Sequence, residues 1–387
     1  MVDDIVYLQG DPKNEPEEES KRVDFVPKTP DDVLNILKSA LRWNTSDIHL
    51  QVGSKPIFRI DGVLTPFNQG KNVTSNFMAA CADVFLSKDQ QEYLLENRQV
   101  DCSVTLPNFT HRFRINFFYQ RNHLSCVFRV NPIIPPTMEQ LGLPPLMEKL
   151  VALPNGLVLI TGATGCGKTT TLAAMVHHMN HHRNAHIITL SDPIEYIHKN
   201  KCCVISQREI GDDATSFASA LRVALREDPN VIVVEEIRDL ESISMALTAA
   251  ETGHLVFATL HTNDAIQAID RLIDVFPPNQ QPQIRVQLAM TLQAVISQVL
   301  LKRKGSPGRV AVFETMPVTV PIRNLIRDNQ TVQIYNVMSM NRAQGMILRN
   351  DALKEAAQKG LITQEDAEAH FLDTMLLKHD HTGWRRS

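Results

Sequence analysis

The chain has 387 residues, of which 43% are hydrophobic, so it is long enough for two domains that each have a core. Its formal charge of −4 provides no overall basic field, and no apolar run approaches the ~20 residues that cross a bilayer, so we expect neither a nucleic-acid partner nor a transmembrane segment. The six cysteines include no C-x-x-C pair, which predicts reduced thiols in a cytosolic protein.

The first part of the chain predicts a disordered tail over 1–29 and a small α+β domain over 30–130. The tail is rich in Pro, Glu, Ser and Lys, a composition that cannot support burial. A helix is predicted from Thr29 onwards, because apolar residues recur there at helical spacing. The further predicted elements are strands over 46–50 and 56–62, a helix over 75–97, and strands over 111–117 and 125–130. Prolines between 131 and 145 predict a stiff linker after this domain.

Residues 146–377 alternate strand and helix patterns, as a parallel sheet with crossover helices requires. The predicted strands cover 157–160, 186–190, 203–205, 231–234 and 255–259, and the predicted helices cover 172–176, 216–226, 243–252 and 321–328. More helices are predicted between 346 and 377, with Thr363 as a cap for one of them, and a disordered tail is predicted over 378–387.

The stretch between the strand 157–160 and the following helix predicts a nucleotide site. It matches G-x-x-x-x-G-K-[ST] completely, since two glycines bracket four residues and precede Lys168 and Thr169. Glycines let backbone N–H groups turn around a phosphate, and the helix presents its positive end to the same anion. We therefore expect Lys168 to reach the β- and γ-phosphates and Thr169 to ligate Mg²⁺. The predicted nucleotide-binding residues are Gly162, Ala163, Thr164, Gly165, Cys166, Gly167, Lys168, Thr169 and Thr170.

Polar residues follow the neighbouring predicted strands, where an open α/β sheet places its ligand. Glu235 and Glu236 come after one strand; adjacent strand residues point to opposite sides, so only one should face the nucleotide and hold Mg²⁺ or its waters. Glu195, after another strand, is a candidate to orient water. His254 and His261 flank a third strand, and we expect them to converge on the same sheet edge. Taken alone, a histidine at a strand end more often makes a structural hydrogen bond.

Several motifs, in one order from about residue 30 to 370, together resemble those of the secretion-type, RecA-like ATPases of type IV pilus systems. They are the phosphate loop, DPIEY over 192–196, QRE over 207–209, ALREDP over 224–229, EIRDL over 236–240, AAETGH over 249–254 and TLHT over 259–262. The resemblance implies an α/β fold with a PAS-like N-terminal domain and a RecA-like P-loop ATPase domain. It also implies ATP and Mg²⁺ as cofactors and a homohexameric ring with nucleotide between the two domains.

The resemblance carries six catalytic roles over to this chain. They fall on the aspartate box (Glu195), the Walker B motif (Glu236), the histidine box (His254 and His261) and the arginines that reach the γ-phosphate (Arg114 and Arg129). Without the resemblance, both arginines would be interpreted as exposed strand residues. Guanidinium groups neutralise charge on the transferring phosphoryl group, so arginines from another domain would couple hydrolysis to domain rotation.

Two features favour the pilus-retraction class within this family. The segment 321–328 resembles the AIRNLIRE-type motif of retraction members and has an amphipathic helical pattern, although a plain surface helix would show the same pattern. The chain also lacks the tetracysteine zinc insertion that is usual in assembly and type II secretion ATPases. We therefore predict a cytoplasmic motor, peripheral to the inner membrane at the pilus base, which acts on an inner-membrane platform protein and, in one alternative, beside a paralogous motor ATPase.

Ser191 and Glu235 depart from the family pattern, in which glutamate and glycine are usual at these two positions. A glutamate beside the metal site adds bulk and charge, and neighbouring carboxylates raise each other's pKa. We expect low activity or dependence on a partner ATPase, and we expect Glu235→Gly to raise hydrolysis several-fold. A pilus-assembly or secretion ATPase and a weakly hydrolysing regulatory ATPase stay open as alternatives. Charge and aromatic placement do not support a third, a DNA translocase.

A histidine run over 177–182 contains two pairs at i,i+4 spacing, which could ligate a metal. The run has no carboxylate or thiol paired with it in sequence, whereas metal sites normally need a third protein ligand. The favoured interpretation is therefore a solvated helix end.

Overall fold

The computed structural model describes residues 30–43, 45–60, 62–68, 71–107, 109–306 and 308–372. The predicted tails, over 1–29 and 378–387, lie outside these residues. The chain divides into two compact units: unit 1 contains the residues up to Val104 and Phe113–Val130, and unit 2 contains Thr105–Arg112 and the residues from Asn131 onwards. In the described parts of both units, no helix is long and apolar enough to cross a membrane.

Unit 1 is built on a six-stranded sheet in the order β3-β2-β1-β6-β5-β4, in which β1 pairs antiparallel with both β2 and β6. Its strands are β1 (Asp47–Gln51), β2 (Ile57–Ile60), β3 (Val63–Pro66), β4 (Gln99–Thr105), β5 (His111–Gln120) and β6 (His123–Pro132), and its helices are α1 (Pro30–Arg42), α2 (Ser75–Phe85) and α3 (Lys88–Asn97). The predicted α+β character is confirmed. Burial alternates along β5, where Phe113, Ile115 and Phe117 face the core, which leaves the other face of that strand more exposed.

The single helix predicted over 75–97 is wrong, because α2 and α3 are separate helices. The chain becomes extended at Leu86, the residue that ends α2. Ser87 then begins α3 with a capping box: its hydroxyl accepts from the Gln90 N–H at 3.2 Å, and the Gln90 side chain accepts from the Ser87 N–H at 3.0 Å. These reciprocal bonds satisfy two N–H groups at a helix start, so the chain can begin a new helix here.

Unit 2 contains a seven-stranded sheet in the order β13-β12-β7-β11-β10-β8-β9, parallel except at β13. The strands are β7 (Gly156–Thr161), β8 (His186–Ser191), β9 (Val204–Glu209), β10 (Val231–Val234), β11 (Leu255–Leu260), β12 (Leu292–Lys302) and β13 (Arg309–Pro317). All five predicted strands are present. The α/β class predicted from the alternation of strands and helices is therefore confirmed.

Helices cover both faces of this sheet, because successive residues of its buried strands face opposite sides. Leu157 and Leu159 of β7 belong to one apolar cluster, and Val158 and Ile160 belong to the other. The second cluster contains residues of α4 and α5, and the first contains residues of α6 to α11. The helices are α4 (Leu146–Val151), α5 (Lys168–His182), α6 (Phe217–Ala224), α7 (Leu240–Glu251), α8 (Ala265–Asp274), α9 (Gln281–Thr291), α10 (Val320–Arg327), α11 (Ile334–Met340), α12 (Arg349–Gln358) and α13 (Gln364–Ala369).

The sequence pattern missed β12 and β13, which extend the sheet beyond β7. Strand β12 begins at Leu292, directly after α9 ends at Thr291, without a glycine or proline at the junction. An apolar run of this kind does not distinguish a buried strand from a buried helix. Near the end of the described chain, the predicted cap is confirmed: Thr363 accepts a hydrogen bond from the Asp366 N–H at 3.0 Å and begins α13.

Candidate functional site

The loop between β7 and α5 has a shape that its first glycine makes possible. Gly162 has a φ of 145°, and a Cβ at this position would lie 2.4 Å from the backbone oxygen of Gln298 and 2.6 Å from the Cys166 Sγ. Gly167, with a φ of 92°, lies in the left-handed region and caps α5. The tip of the loop, over 163–165, is exposed. The result is a backbone cradle at the amino end of a 15-residue helix, as the motif predicts.

Lys168 lies inside the curve of this loop and is only 8% exposed. Its Nζ donates to the backbone oxygens of Gly162 at 2.8 Å and Ala163 at 3.1 Å. Burial lowers the pKa of Lys168, and nearby Cys166 and Glu236 act in the opposite direction. The ammonium group is therefore held at the centre of the cradle, where an anion would meet it.

A carboxylate and an imidazole lie beside Lys168. The His261 Nε2 is 2.7 Å from the Glu236 Oε1, and its Nδ1 is 3.4 Å from the Lys168 Nζ and 3.3 Å from the Thr164 Oγ1. Arg238 also pairs with the Glu236 carboxylate. Burial lowers the pKa of His261, the charge of Lys168 lowers it further, and Glu236 opposes both effects. His261 thus links the acid at the end of β10 to the phosphate loop.

The sheet explains why these residues meet. Strands β7, β11 and β10 are parallel neighbours, with Leu260 opposite Thr161 and Val234 opposite Ala258. Their carboxyl ends therefore lie at one edge, where an α/β sheet presents its ligand site. The structure brings the phosphate loop, Glu236 and His261 together there, as the sequence predicts. Thr169 and Thr170 follow in the first turn of α5, and both are half-buried.

The expectation that His254 converges on this edge is wrong. His254 precedes β11, whereas His261 follows it, so the whole length of the strand separates them. The His254 backbone oxygen accepts from the N–H of Gly156, at the amino end of β7. The His254 Nδ1 lies 3.0 Å from the Ala249 backbone oxygen and 3.2 Å from the Thr252 Oγ1. Within unit 2, His254 therefore makes structural hydrogen bonds at the edge opposite the phosphate loop.

Glu235 lies on the other side of β10 from Glu236, as alternation along a strand requires. Its N–H donates to the Leu190 backbone oxygen at 2.9 Å, and its carboxyl is hydrogen-bonded to Ser191 on β8. The two positions that depart from the family pattern are thus neighbours on adjacent strands. The expected effect of the Glu235 carboxyl on a metal site stays a prediction.

A small cavity surrounds the Glu235 carboxyl. Its polar lining consists of Thr189, Ser191, Tyr196, His198, Gln207 and Glu235. Burial raises the pKa of Glu235 to about 8, and the charges of Glu195, Asp192 and Glu209 raise it further. The acids that raise the pKa of Glu235 therefore lie in β9 and in the loop after β8. The sequence predicts the adjacent Glu236 as the cause, whereas these acids come from other parts of the chain.

Glu195 belongs to the loop that follows β8. The neighbouring Tyr196 is buried, and its hydroxyl lies 3.2 Å from the Thr170 Oγ1 in α5. This contact attaches the loop to the first turn of the phosphate-binding helix. Glu195 itself is half-buried and close enough to raise the pKa of Tyr196 and Glu235. Its role in orienting water stays a prediction.

Arg114 and Arg129 lie on adjacent strands of unit 1. Phe113 and Phe128 point into the core of that unit, so the arginines that follow them share its opposite face. The Arg129 Nε lies 3.3 Å from the Asp47 Oδ1, and the Arg129 side chain is 57% exposed. Their action on a γ-phosphate stays a prediction.

The histidines over 177–182 interact with their own helix. The His181 Nδ1 lies 2.7 Å from the His177 backbone oxygen, and the His182 Nδ1 lies 2.9 Å from that of His178. The His177 and His181 rings are 4.3 Å apart. Across the described parts of the chain, no three His, Cys, Asp or Glu side chains form a group suited to a metal ion.

Sequence reasoning missed Gln298, which contacts the phosphate loop from β12. It is 2% exposed, and its amide bonds to Cys166 and Thr171. The available signal was a glutamine inside the apolar run 292–301, because buried polar groups in proteins are normally hydrogen-bonded. The partner of such a residue cannot be identified from the run itself.

Comparisons with known proteins identify the family of the chain. The family model described as type II/IV secretion system protein matches residues 26–368. The chain is 43% identical over 336 residues to the type IV pilus retraction ATPase PilT of Pseudomonas aeruginosa, which covers 87% of this chain and 97% of that protein. It is 41% identical over 335 residues to a Neisseria gonorrhoeae protein named twitching motility protein, with coverages of 87% and 89%.

A solved structure, described as the pilus retraction motor PilT with bound ADP, has the same fold. Its TM-score is 0.82 and its sequence identity is 44%, over 89% of this chain and 98% of that chain. The resemblance predicted from the order of the sequence motifs is confirmed by these comparisons.

Proposed function

The chain belongs to the family of type II/IV secretion system proteins, and from this membership we propose that it is an ATPase motor that powers pilus retraction as a homohexamer. The observation that carries the proposal is the meeting of Lys168, His261 and Glu236 at one sheet edge, beneath a complete phosphate loop. The similarity to a protein named as a pilus retraction ATPase and the ADP in a related structure support it. Twitching motility is the cellular activity that this proposal implies.

The residues of the loop fit a nucleotide and Mg²⁺. A side chain at Gly162 would clash with the Gln298 backbone oxygen, so glycine lets the loop keep the curve in which its backbone N–H groups can bind phosphate oxygens. Lys168 would hold the β- and γ-phosphates. Thr169 and Glu236 would hold Mg²⁺, and part of this binding would run through water molecules. When bound, Mg²⁺ would neutralise negative charge on the phosphate oxygens.

The remaining residues would orient the attacking water and complete the site. Glu195 or Glu236 would accept a hydrogen bond from that water and align it with the γ-phosphate. His261 would position Glu236, which it contacts at 2.7 Å. Arg114 and Arg129, contributed by unit 1, would neutralise charge on the phosphoryl group, so phosphate release would change how the ring closes.

We place this motor on the cytoplasmic side of the inner membrane, at the base of the pilus. An inner-membrane platform protein would receive the force. A paralogous motor ATPase is a further candidate partner. Neither the charge balance nor the proposed site calls for nucleic acid.

A second candidate function is that of an accessory ATPase that hydrolyses slowly beside a partner motor. Glu235 favours it, because this half-buried acid lies within electrostatic reach of Glu195. Once Glu235 loses its proton, at a pH near 8, its charge would raise the pKa of the residue that is proposed to orient water. The two candidates differ in the turnover that the purified ring achieves alone.

Steady-state ATP hydrolysis with Mg²⁺ tests both candidates. The wild type would be compared with Lys168→Ala and Glu236→Ala on material of hexamer size. If the wild type hydrolyses ATP and both variants lose this activity, the result supports the motor function. If the wild type binds ATP but hydrolyses it no faster than the variants, the accessory function replaces the motor.

A further inference from the structure

We propose that Gln298 is a positioning residue for nucleotide binding, which holds the phosphate loop in register with helix α5. The inference rests on the proposed function, since it concerns the same loop. Gln298 belongs to β12 and does not form part of the phosphate-loop motif. It acts through the backbone of the loop, without contacting the nucleotide itself.

The amide of Gln298 joins the loop to the helix. Its Nε2 donates to the Cys166 backbone oxygen at 2.7 Å, and its Oε1 accepts from the Thr171 hydroxyl at 3.0 Å. Gln298 and Thr171 are each 2% exposed, so water cannot readily replace either bond. A buried amide left without a partner is costly, so both bonds constrain the loop.

The same residue lies against both glycines of the motif. Strand β12 pairs with β7 up to Ser297 and Thr161, so Gln298 follows at the point where the loop leaves the sheet. A Cβ on Gly162 would lie 2.4 Å from the Gln298 backbone oxygen, and one on Gly167 would lie 3.4 Å from its Nε2. Gln298 therefore forms the floor of the cradle.

This contact fixes the direction of a group that binds phosphate. The Cys166 oxygen and the Gly167 N–H belong to one peptide unit, which is planar, and in a trans peptide they point in opposite directions. A bond from Gln298 to the oxygen therefore turns the N–H away from the floor, toward the concave side of the loop. Loss of the bond would free that peptide to rotate.

The neighbouring residue shows that β12 holds two loops of the site. Ser297 faces the opposite side of the sheet, where its hydroxyl donates to the Asn263 backbone oxygen at 2.8 Å. Asn263 lies two residues after His261. Ser297 and Gln298, which are successive residues of β12, thus anchor two loops on the two faces of the sheet: the loop that contains His261 and Asn263, and the phosphate loop.

The test is calorimetric binding of Mg-ADP to the full-length protein between pH 6 and pH 8. Gln298→Glu keeps the shape of the side chain but replaces the donor to Cys166 with an acceptor. At pH 8 we expect its Kd to rise about tenfold or more over that of the wild type. As pH falls, a protonated carboxyl donates to the Cys166 oxygen as the amide does, so the ratio of the two Kd values should shrink.

Three further variants complete the design. Gln293→Glu, on the same strand but at its other end, is the matched control and should bind like the wild type at every pH. Thr171→Val removes only the second bond at nearly constant volume, so we expect a loss of about threefold without a pH-dependent ratio. Lys168→Ala reports on the nucleotide site itself and should abolish binding.

Each contrary result has a distinct meaning. The positioning role would be overturned, with the proposed function intact, if Gln298→Glu at pH 8 and Thr171→Val both bind Mg-ADP as tightly as the wild type. It would also be overturned if Gln298→Glu loses affinity by the same factor at every pH. If Gln298→Glu does not fold, Thr171→Val decides alone. No binding by the wild type would overturn the proposed function and this inference together.

Discussion

Two adjacent glutamates at the end of β10 lie in opposite surroundings. Glu236 is beside Lys168, Arg238 and His261, and its side chain is 19% exposed. Glu235 lines a small cavity, where burial and the acids around it raise its pKa to about 8. One carboxyl lies close to the cations Lys168 and Arg238, and the other lies close to the acids Glu195, Asp192 and Glu209.

The difference shows that residue type and sequence position do not by themselves assign a role at a strand end. A carboxylate close to cations keeps its charge at low cost and can hold a metal. A carboxyl buried among acids favours its protonated form. We therefore expect substitutions of the two glutamates to affect different properties: hydrolysis for Glu236, and stability and its pH dependence for Glu235.

The largest effect is expected from Glu236→Gln. The amide cannot supply the charge that Mg²⁺ needs, so ATP turnover should fall by roughly two to three orders of magnitude. Glu235→Gln is the matched control and should stay within about threefold of the wild type. Single-turnover hydrolysis measures both. An equal loss in the two variants would remove the distinction between the two sides of β10.

Stability should depend on pH through Glu235. Its pKa is about 8 in the folded chain against 4.5 as the ordinary value, so the folded state binds more protons between these pH values. The free energy of unfolding should therefore fall as pH rises through that window, by about 1 kcal/mol per pH unit. Glu235→Gln should make the slope less steep in urea titrations from pH 5 to pH 8, and Glu314, whose pKa burial also raises to about 8, should account for part of the slope that is left. An unchanged slope would place the carboxyl in a wetter site.

The histidines extend the comparison to the two edges of the sheet. His261→Ala should lower turnover about tenfold, because it removes the contact that positions Glu236 beside Lys168. His254→Ala should change turnover less than about twofold, since His254 lies at the amino end of β11. Steady-state kinetics on matched hexamer fractions compares them. A larger loss in His254→Ala would show that the opposite edge takes part in hydrolysis.

A smaller gain is expected from Glu235→Gly, which should raise turnover several-fold by removing an acid within reach of Glu195. Glu235→Gln separates the causes in the same assay run above pH 8, where Glu235 has lost its proton: it removes the charge but keeps the volume. A rise in the glycine variant alone would assign the restraint to volume. A glycine variant no faster than the wild type would show that this departure does not restrain the enzyme.

The sequence by itself determined those features that depend on residues close in the chain. The strand, loop and helix around Lys168 are contiguous, and apolar runs identified five strands of unit 2. Alternation along a strand also predicted that Glu235 and Glu236 face opposite sides. Local pattern was sufficient here because backbone geometry and motif spacing are short-range properties.

Only the tertiary structure decided which distant residues meet. The pattern around His254 and His261 did not show that β11 holds them at opposite sheet edges. The environment of Glu235 depends on Ser191, and the floor of the phosphate loop depends on Gln298, 131 residues after Gly167 (298 minus 167). Burial and hydrogen-bond partners belong to the packed sheet, because strand order and register bring together residues that no local pattern relates.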